Sequence, residues 1–206
     1  MSSAAPRIDP RFPGLSPEVV EGYLNAPEWM GAEVIDGALT LLPRPRPRHA
    51  RAMGELHGEL RGPFDRGRDG PGGWVFLPEP ELHLGPSPDI LVPDLAGWRR
   101  ARFPVDALDD DAPAFLSVAP DWVCEALSPR TESSDRGAKM RIYRREGIGH
   151  VWLVNPALRT LEVWRLAGDL YALVDTFEGD AAVRAEPFEA VELPLAALWS
   201  SGLTAR

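Results

Sequence analysis

Two carboxylates stand where a sheet should be buried: Asp94, behind Pro93 in an apolar run, and Glu125, inside the apolar run 122–127. Side chains alternate along a strand, so Val123, Glu125 and Leu127 share one face, and Trp122, Cys124 and Ala126 the other. The same alternation puts Ile90, Val92, Asp94 and Ala96 on one face. A buried carboxylate is costly unless something pairs with it, and either acid alone reads equally well as a satisfied core residue. Two in adjacent elements repel by roughly 4 kcal/mol at ~4 Å and an effective dielectric of about 20. A divalent cation between them reverses that sign; without one, Asp94→Asn should stabilise the chain. Lys139 follows at helical spacing, with Asp135, Lys139 and Tyr143 on one helix face. A lysine there could orient or activate water, or stabilise charge on a transferring phosphate. Spacing alone favours an ordinary Asp135–Lys139 surface pair, worth under about 1 kcal/mol, and Lys139→Met should barely change folding on either reading.

The elements that must position these residues follow from periodicity and turn residues. Residues 16–25 read as a helix, with Ser16 as N-cap and Pro17 at its first position. Residues 33–42 alternate around Asp36-Gly37, a hairpin turn signal. The Pro-Arg alternation 43–47 is stiff and irregular. Residues 48–60 are helical, with Met53, Leu56 and Leu60 on one face, and 63–73 form a loop. Strands follow at 74–84, 89–98 and 122–127, then a helix at 132–146 that Gly147 ends and an apolar central strand at 151–154. Pro93 cannot donate to a ladder, so its strand is at an edge, bulged or ending there. A hairpin spans 160–166 and 170–177, and 194–200 is a terminal helical turn. The order helix, strand, strand, strand, helix, strand predicts an α/β fold, a mixed β-sheet flanked by helices. One domain spans 1–206, with 1–15 flexible and 48–155 as its core.

Composition narrows the function classes. No apolar stretch reaches the roughly 18–20 residues of a membrane-spanning helix, and no signal peptide is apparent. The single cysteine, Cys124, excludes an internal disulfide and a Cys-rich zinc site. The expected location is the cytoplasm. A net charge of -9 argues against a general electrostatic nucleic-acid binder. Arginines nevertheless cluster at 44, 46, 48 and 51, at 61, 66 and 68, at 99, 100 and 102, and at 141, 144 and 145. Such patches can bind phosphate on an acidic protein, although a solvated arginine face accounts for them equally well.

The residues Pro93-Asp94, then Asp121 to Thr131 read as DWVCEALSPRT, then Asp135, Lys139 and Tyr143, then Val151-Trp152-Leu153-Val154-Asn155-Pro156, resemble the Uma-two family of endonucleases in the PD-(D/E)XK superfamily. Glu33-Val34-Ile35-Asp36-Gly37 and Pro47-Arg48-His49 are similar to its N-terminal segments. The resemblance implies a restriction-endonuclease-like core (αβββαβ) with an added N-terminal helix and hairpin and a C-terminal hairpin. It implies Asp94 and Glu125 as metal ligands and Lys139 as the catalytic lysine, supplied from the helix because Leu127 holds the usual lysine position. Glu33, His49, Asp135 and Tyr143 are accessory; a hairpin-surface carboxylate accounts equally well for Glu33, and a helix-start histidine for His49. Ala126, Arg130 and His150-Val151 depart from the family pattern without touching the charged set. The implied activity is Mg2+- or Mn2+-dependent hydrolysis of DNA phosphodiesters, with DNA as partner, no membrane, and a homodimer left open. The alternative is a catalytically inactive module of the same fold for DNA binding or protein assembly, with Trp164 and Leu166 as its exposed apolar surface.

Overall fold

The computed structural model describes residues 11–199. Helix α1 (Pro17–Leu24) starts where Ser16 Oγ accepts the Val19 N–H, satisfying a donor that the helix cannot. Strands β1 (Met30–Ile35) and β2 (Ala38–Pro43) pair through a turn in which Asp36 and Gly37 both take positive φ, 51° and 76°, as a primed hairpin turn requires. Helix α2 (Pro47–Leu60) runs on through a π turn, Arg61–Asp65, with Arg66 N–H bonded to Arg61 O. The expected loop at 63–73 therefore begins later; Pro63, which has no N–H to donate, is absorbed by the wider π turn.

The expected strands 74–84 and 89–98 each break in two. Strands β3 (Trp74–Pro78) and β6 (Leu95–Arg99) pair in one sheet, and β4 (Leu82–Leu84) and β5 (Asp89–Leu91) pair in another. The bends fall at Pro78-Glu79-Pro80 and at Val92-Pro93-Asp94. Proline interrupts both ladders, and Glu79 adopts φ 45°. Ile90 consequently packs with Phe12 and Val34 while Ala96 joins a different core. The single face expected for Ile90, Val92, Asp94 and Ala96 does not run through.

The larger sheet has the order β10-β9-β8-β7-β6-β3, and the smaller β2-β1-β5-β4. Strands β7 (Trp122–Ala126) and β8 (His150–Asn155) are parallel; the other pairs of the large sheet are antiparallel. The crossover between them carries α3 (Glu132–Ser134), a π turn (Asp135–Lys139) and α4 (Met140–Arg145). Strands β9 (Thr160–Ala167) and β10 (Leu170–Glu178) form the C-terminal hairpin. A short ladder, β11 (Ala182–Val183) with β12 (Leu193–Pro194), and helix α5 (Leu195–Trp199) close the chain.

Alternation on β7 sorts the core as expected. Trp122, Cys124 and Ala126 pack on the α2 and α5 side, and Val123 and Leu127 on the α4 side, which Glu125 shares. Of the segment expected to be flexible, residues 1–10 lie outside the described residues, and Phe12 is buried against Val34 and Ile90. No helix among the described residues is long and apolar enough to cross a membrane.

Candidate active site

Every candidate residue from the sequence comes to one place. Strand β1 supplies Glu33, the start of α2 supplies His49, and the bend before β6 supplies Asp94. Glu125 comes from β7, Asp135 and Lys139 from the π turn, and Tyr143 from α4. Lys139 is 3% exposed, so it is no surface partner of Asp135. Its Nζ lies 2.9 Å from Glu33 Oε1, 3.2 Å from Glu125 Oε1 and 3.3 Å from Asp135 Oδ1. The surface-pair reading fails because the π turn faces the sheet and β1 closes over it. Tyr143 donates its hydroxyl to Glu125 Oε1, and Glu33 Oε1 also accepts the Val92 N–H at 3.0 Å.

The electrostatics are those of a dry, crowded site. Burial penalises the Lys139 charge, but Glu125, Glu33 and Asp135 outweigh it and hold its pKa well above the ordinary lysine value. Burial raises the Glu125 pKa well above the carboxylate range; Lys139 opposes the rise, while Asp135, Asp94 and Glu33 add to it. Burial likewise raises Asp135, against Lys139 and Thr131, and the Tyr143 hydroxyl, beside the Glu125 charge. Three carboxylates thus share one ammonium, which leaves the cluster short of positive charge.

Asp94 stands beside this cluster with both oxygens engaged. Oδ1 accepts from His49 Nε2 at 2.6 Å and Oδ2 accepts the Ala126 N–H at 2.7 Å. Burial alone would lower the His49 pKa, but the hydrogen bond and charge of Asp94 raise it on balance. Asp94 therefore has protein partners, and the expectation that Asp94→Asn relieves bare repulsion does not fit its surroundings.

These groups floor a cleft of about 1140 Å³. Its rim is cationic: Arg46 from the Pro-Arg segment, Arg48 from the first turn of α2 and Arg130 from the β7–α3 loop are exposed and line it. Most of the other arginines noted in the sequence are tied up. Arg44 donates to Glu28 O, Arg51 pairs with Glu55, Arg61 and Arg100 with Asp65, Arg102 with Asp121, Arg141 with Asp36 and Arg145 with Asp89. Sequence reasoning saw Arg130 only as a departure from a pattern, and it missed the Asp89 tie altogether. Asp89 Oδ1 accepts the Asp36 N–H at 2.6 Å and Arg145 Nη1 lies 2.9 Å from Oδ2, fastening the β1–β2 turn to α4. Only the Ser-Pro-Asp turn composition before β5 hinted at a capping carboxylate there.

Among the described residues no group of three or more His, Cys, Asp or Glu is arranged as a metal cage. Two hard carboxylates, Asp94 and Glu125, are nonetheless what a magnesium-type ion takes from protein, the rest of its shell being water and phosphate. The two bonds to Glu125 both fall on Oε1. The donor set fits such an ion and not a zinc site.

The surface expected for an assembly module is not where the sequence suggested. Trp164 is half-buried against the α4-side core with its indole N–H on Glu162 Oε2 at 3.1 Å, and Leu166 is also half-buried. The exposed apolar residues of that hairpin are Leu170, Leu173 and Val174.

A family model described as "Putative restriction endonuclease", Uma2, matches residues 20–196. No curated protein matches the chain. A crystal structure described as "a putative nuclease belonging to DUF820 from Anabaena variabilis ATCC 29413" is 22% identical, with a TM-score of 0.69 over 88% of this chain and 97% of that one. At that identity the likeness speaks for the fold.

Proposed function

From its place in the Uma2 family, to which the chain belongs, we propose that it is a nuclease that hydrolyses DNA phosphodiesters with Mg2+ or Mn2+. The observation that carries this reading is the cleft itself, with Asp94, Glu125 and Lys139 on its floor and unpaired arginines on its rim. Arg46, Arg48 and Arg130 draw the phosphate backbone in against the net charge of -9. Asp94 and Glu125 are the carboxylates that would hold the ion, and a bound ion would supply Lewis-acid polarisation of the phosphate and a more acidic water. Lys139 stays an ammonium, since three carboxylates hold its proton. It therefore serves as a fixed positive charge behind the carboxylates, felt by the reacting phosphate, and not as a base. Tyr143 and Lys139 fix Glu125 through Oε1, and His49 fixes Asp94.

A plasmid-nicking assay with Mg2+ or Mn2+ tests this reading. Wild type should cut and Glu125→Gln, of the same shape, should lose on the order of a hundredfold or more in rate. Cleavage by Glu125→Gln at the wild-type rate would sink the assignment. One observation favours a second reading, a module of this fold without catalysis: Lys139 already bridges Glu33, Glu125 and Asp135, and His49 caps Asp94. Manganese titration calorimetry separates the two, since the inactive module need not take up the ion.

A further inference from the structure

One aromatic beside the cleft has no role in the chemistry above. Trp29 is 69% exposed, whereas each of the other six tryptophans is buried or half-buried. Its turn is held at both sides. The Met30 N–H donates to Pro27 O at 2.8 Å, and Arg44 Nη2 donates to Glu28 O at 2.7 Å. The ring is thus presented from a fixed backbone and loses little freedom on binding. Met30 pairs with Pro43 in the β1–β2 ladder. Gly31, next to Met30 on β1, and Leu42, Pro43 and Arg44 opposite them line the cleft. Trp29 therefore stands at the end of the same strip that carries Arg46 and Arg48.

An exposed indole beside a run of free guanidinium groups is how a protein holds a nucleic-acid strand whose bases are free: bases stack on the ring and phosphates follow the charge. A duplex keeps its base faces against one another and has none to offer Trp29. A second copy packed face to face on this strip would set its own arginines against them and be repelled, whereas a polyanion is attracted. We propose that the cleft takes an unpaired DNA strand, with one base stacked on Trp29 and its phosphates along Arg46, Arg48 and Arg130. This rests on the nuclease reading and names its substrate class.

The test compares fluorescence anisotropy of labelled oligothymidylate and of a labelled hairpin duplex, with intrinsic tryptophan emission followed in parallel. Wild type should prefer oligothymidylate, and binding should quench the emission component that is missing from Trp29→Ala. That variant should bind the single strand about tenfold more weakly, the scale of one base stack removed, and Trp29→Phe should retain most of the affinity. Because the side chain is exposed, folding is not at stake. Unchanged single-strand affinity in Trp29→Ala overturns the inference while duplex binding leaves the nuclease reading standing. So does a wild-type dimer in light scattering that Trp29→Ala turns into a monomer. Failure of wild type to bind either DNA overturns both.

Discussion

At the residue scale, the site is governed by what Lys139 neutralises. Removing one partner of a buried ion pair leaves charge without compensation and costs about 3–5 kcal/mol. Lys139→Met should lose that much in urea denaturation at neutral pH, in contrast to the negligible effect of an exposed pair. A loss within a few tenths of a kcal/mol would mean that Glu33, Glu125 and Asp135 do not depend on the ammonium. Asp94 makes a different kind of bond. Asp94→Ala strands the Ala126 N–H, and an unsatisfied buried donor costs about 1–3 kcal/mol. The metal-free variant should therefore melt lower than wild type; a higher melting temperature would restore the repulsion argument. Glu125 was legible in the sequence because a carboxylate on an apolar strand face has few explanations, whereas Asp94 lies at a bend and spacing alone put Lys139 on the surface. The role of Glu33 was not legible. Its partner lies on a helix more than a hundred positions away, and no local pattern encodes that meeting.

At the element scale, the helix after β7 is held down by Arg136. Its guanidinium reaches Glu162 on β9 through Nη1 at 2.8 Å and Nη2 at 2.5 Å, and Glu132 through Nε at 2.9 Å. Those bonds hold the Glu162 pKa below the ordinary glutamate value. A depressed carboxylate contributes stability that is present above its unfolded pKa, about 4.3, and lost as pH falls through the folded value. Glu162→Gln should therefore melt below wild type at neutral pH, and the gap should close as the pH drops below about 4. A gap that persists in acid would place the effect in packing and not in charge. Helix and strand identities were largely readable because apolar spacing sets them. The split of 74–84 and 89–98 was readable only as an interruption at Pro93. Which sheet each half joins depends on partners from β1, β6 and β7, far away in the chain.

At the scale of the whole molecule, an acidic protein has gathered free arginines at one opening. Taking one arginine away from the phosphate backbone should reduce the slope of log affinity against log salt by about 0.7 for a single strand. Arg46→Ala, Arg48→Ala and Arg130→Ala should each lower that slope and weaken binding evenly across sequences. Arg51→Ala, whose guanidinium pairs with Glu55 at 2.7 Å, should leave the slope as it is. Equal slopes for all four variants would detach the rim from nucleic acid. The net charge concealed this arrangement, because a sum over the chain carries no positions.

The Asp89 tie between the β1–β2 turn and α4 also bears on the order in which the cluster around Lys139 can be put together. Arg141 and Asp36, which meet at the same junction, lie 105 residues apart in the chain. Contacts of such high sequence separation are the slow ones to form. During synthesis the chain emerges from its N-terminus, so β1 must wait for the π turn and α4 before Glu33 has a lysine to meet. A ribosome-bound fragment ending before Lys139 holds Glu33 without its ammonium, so the buried cluster is completed only after the crossover has been made.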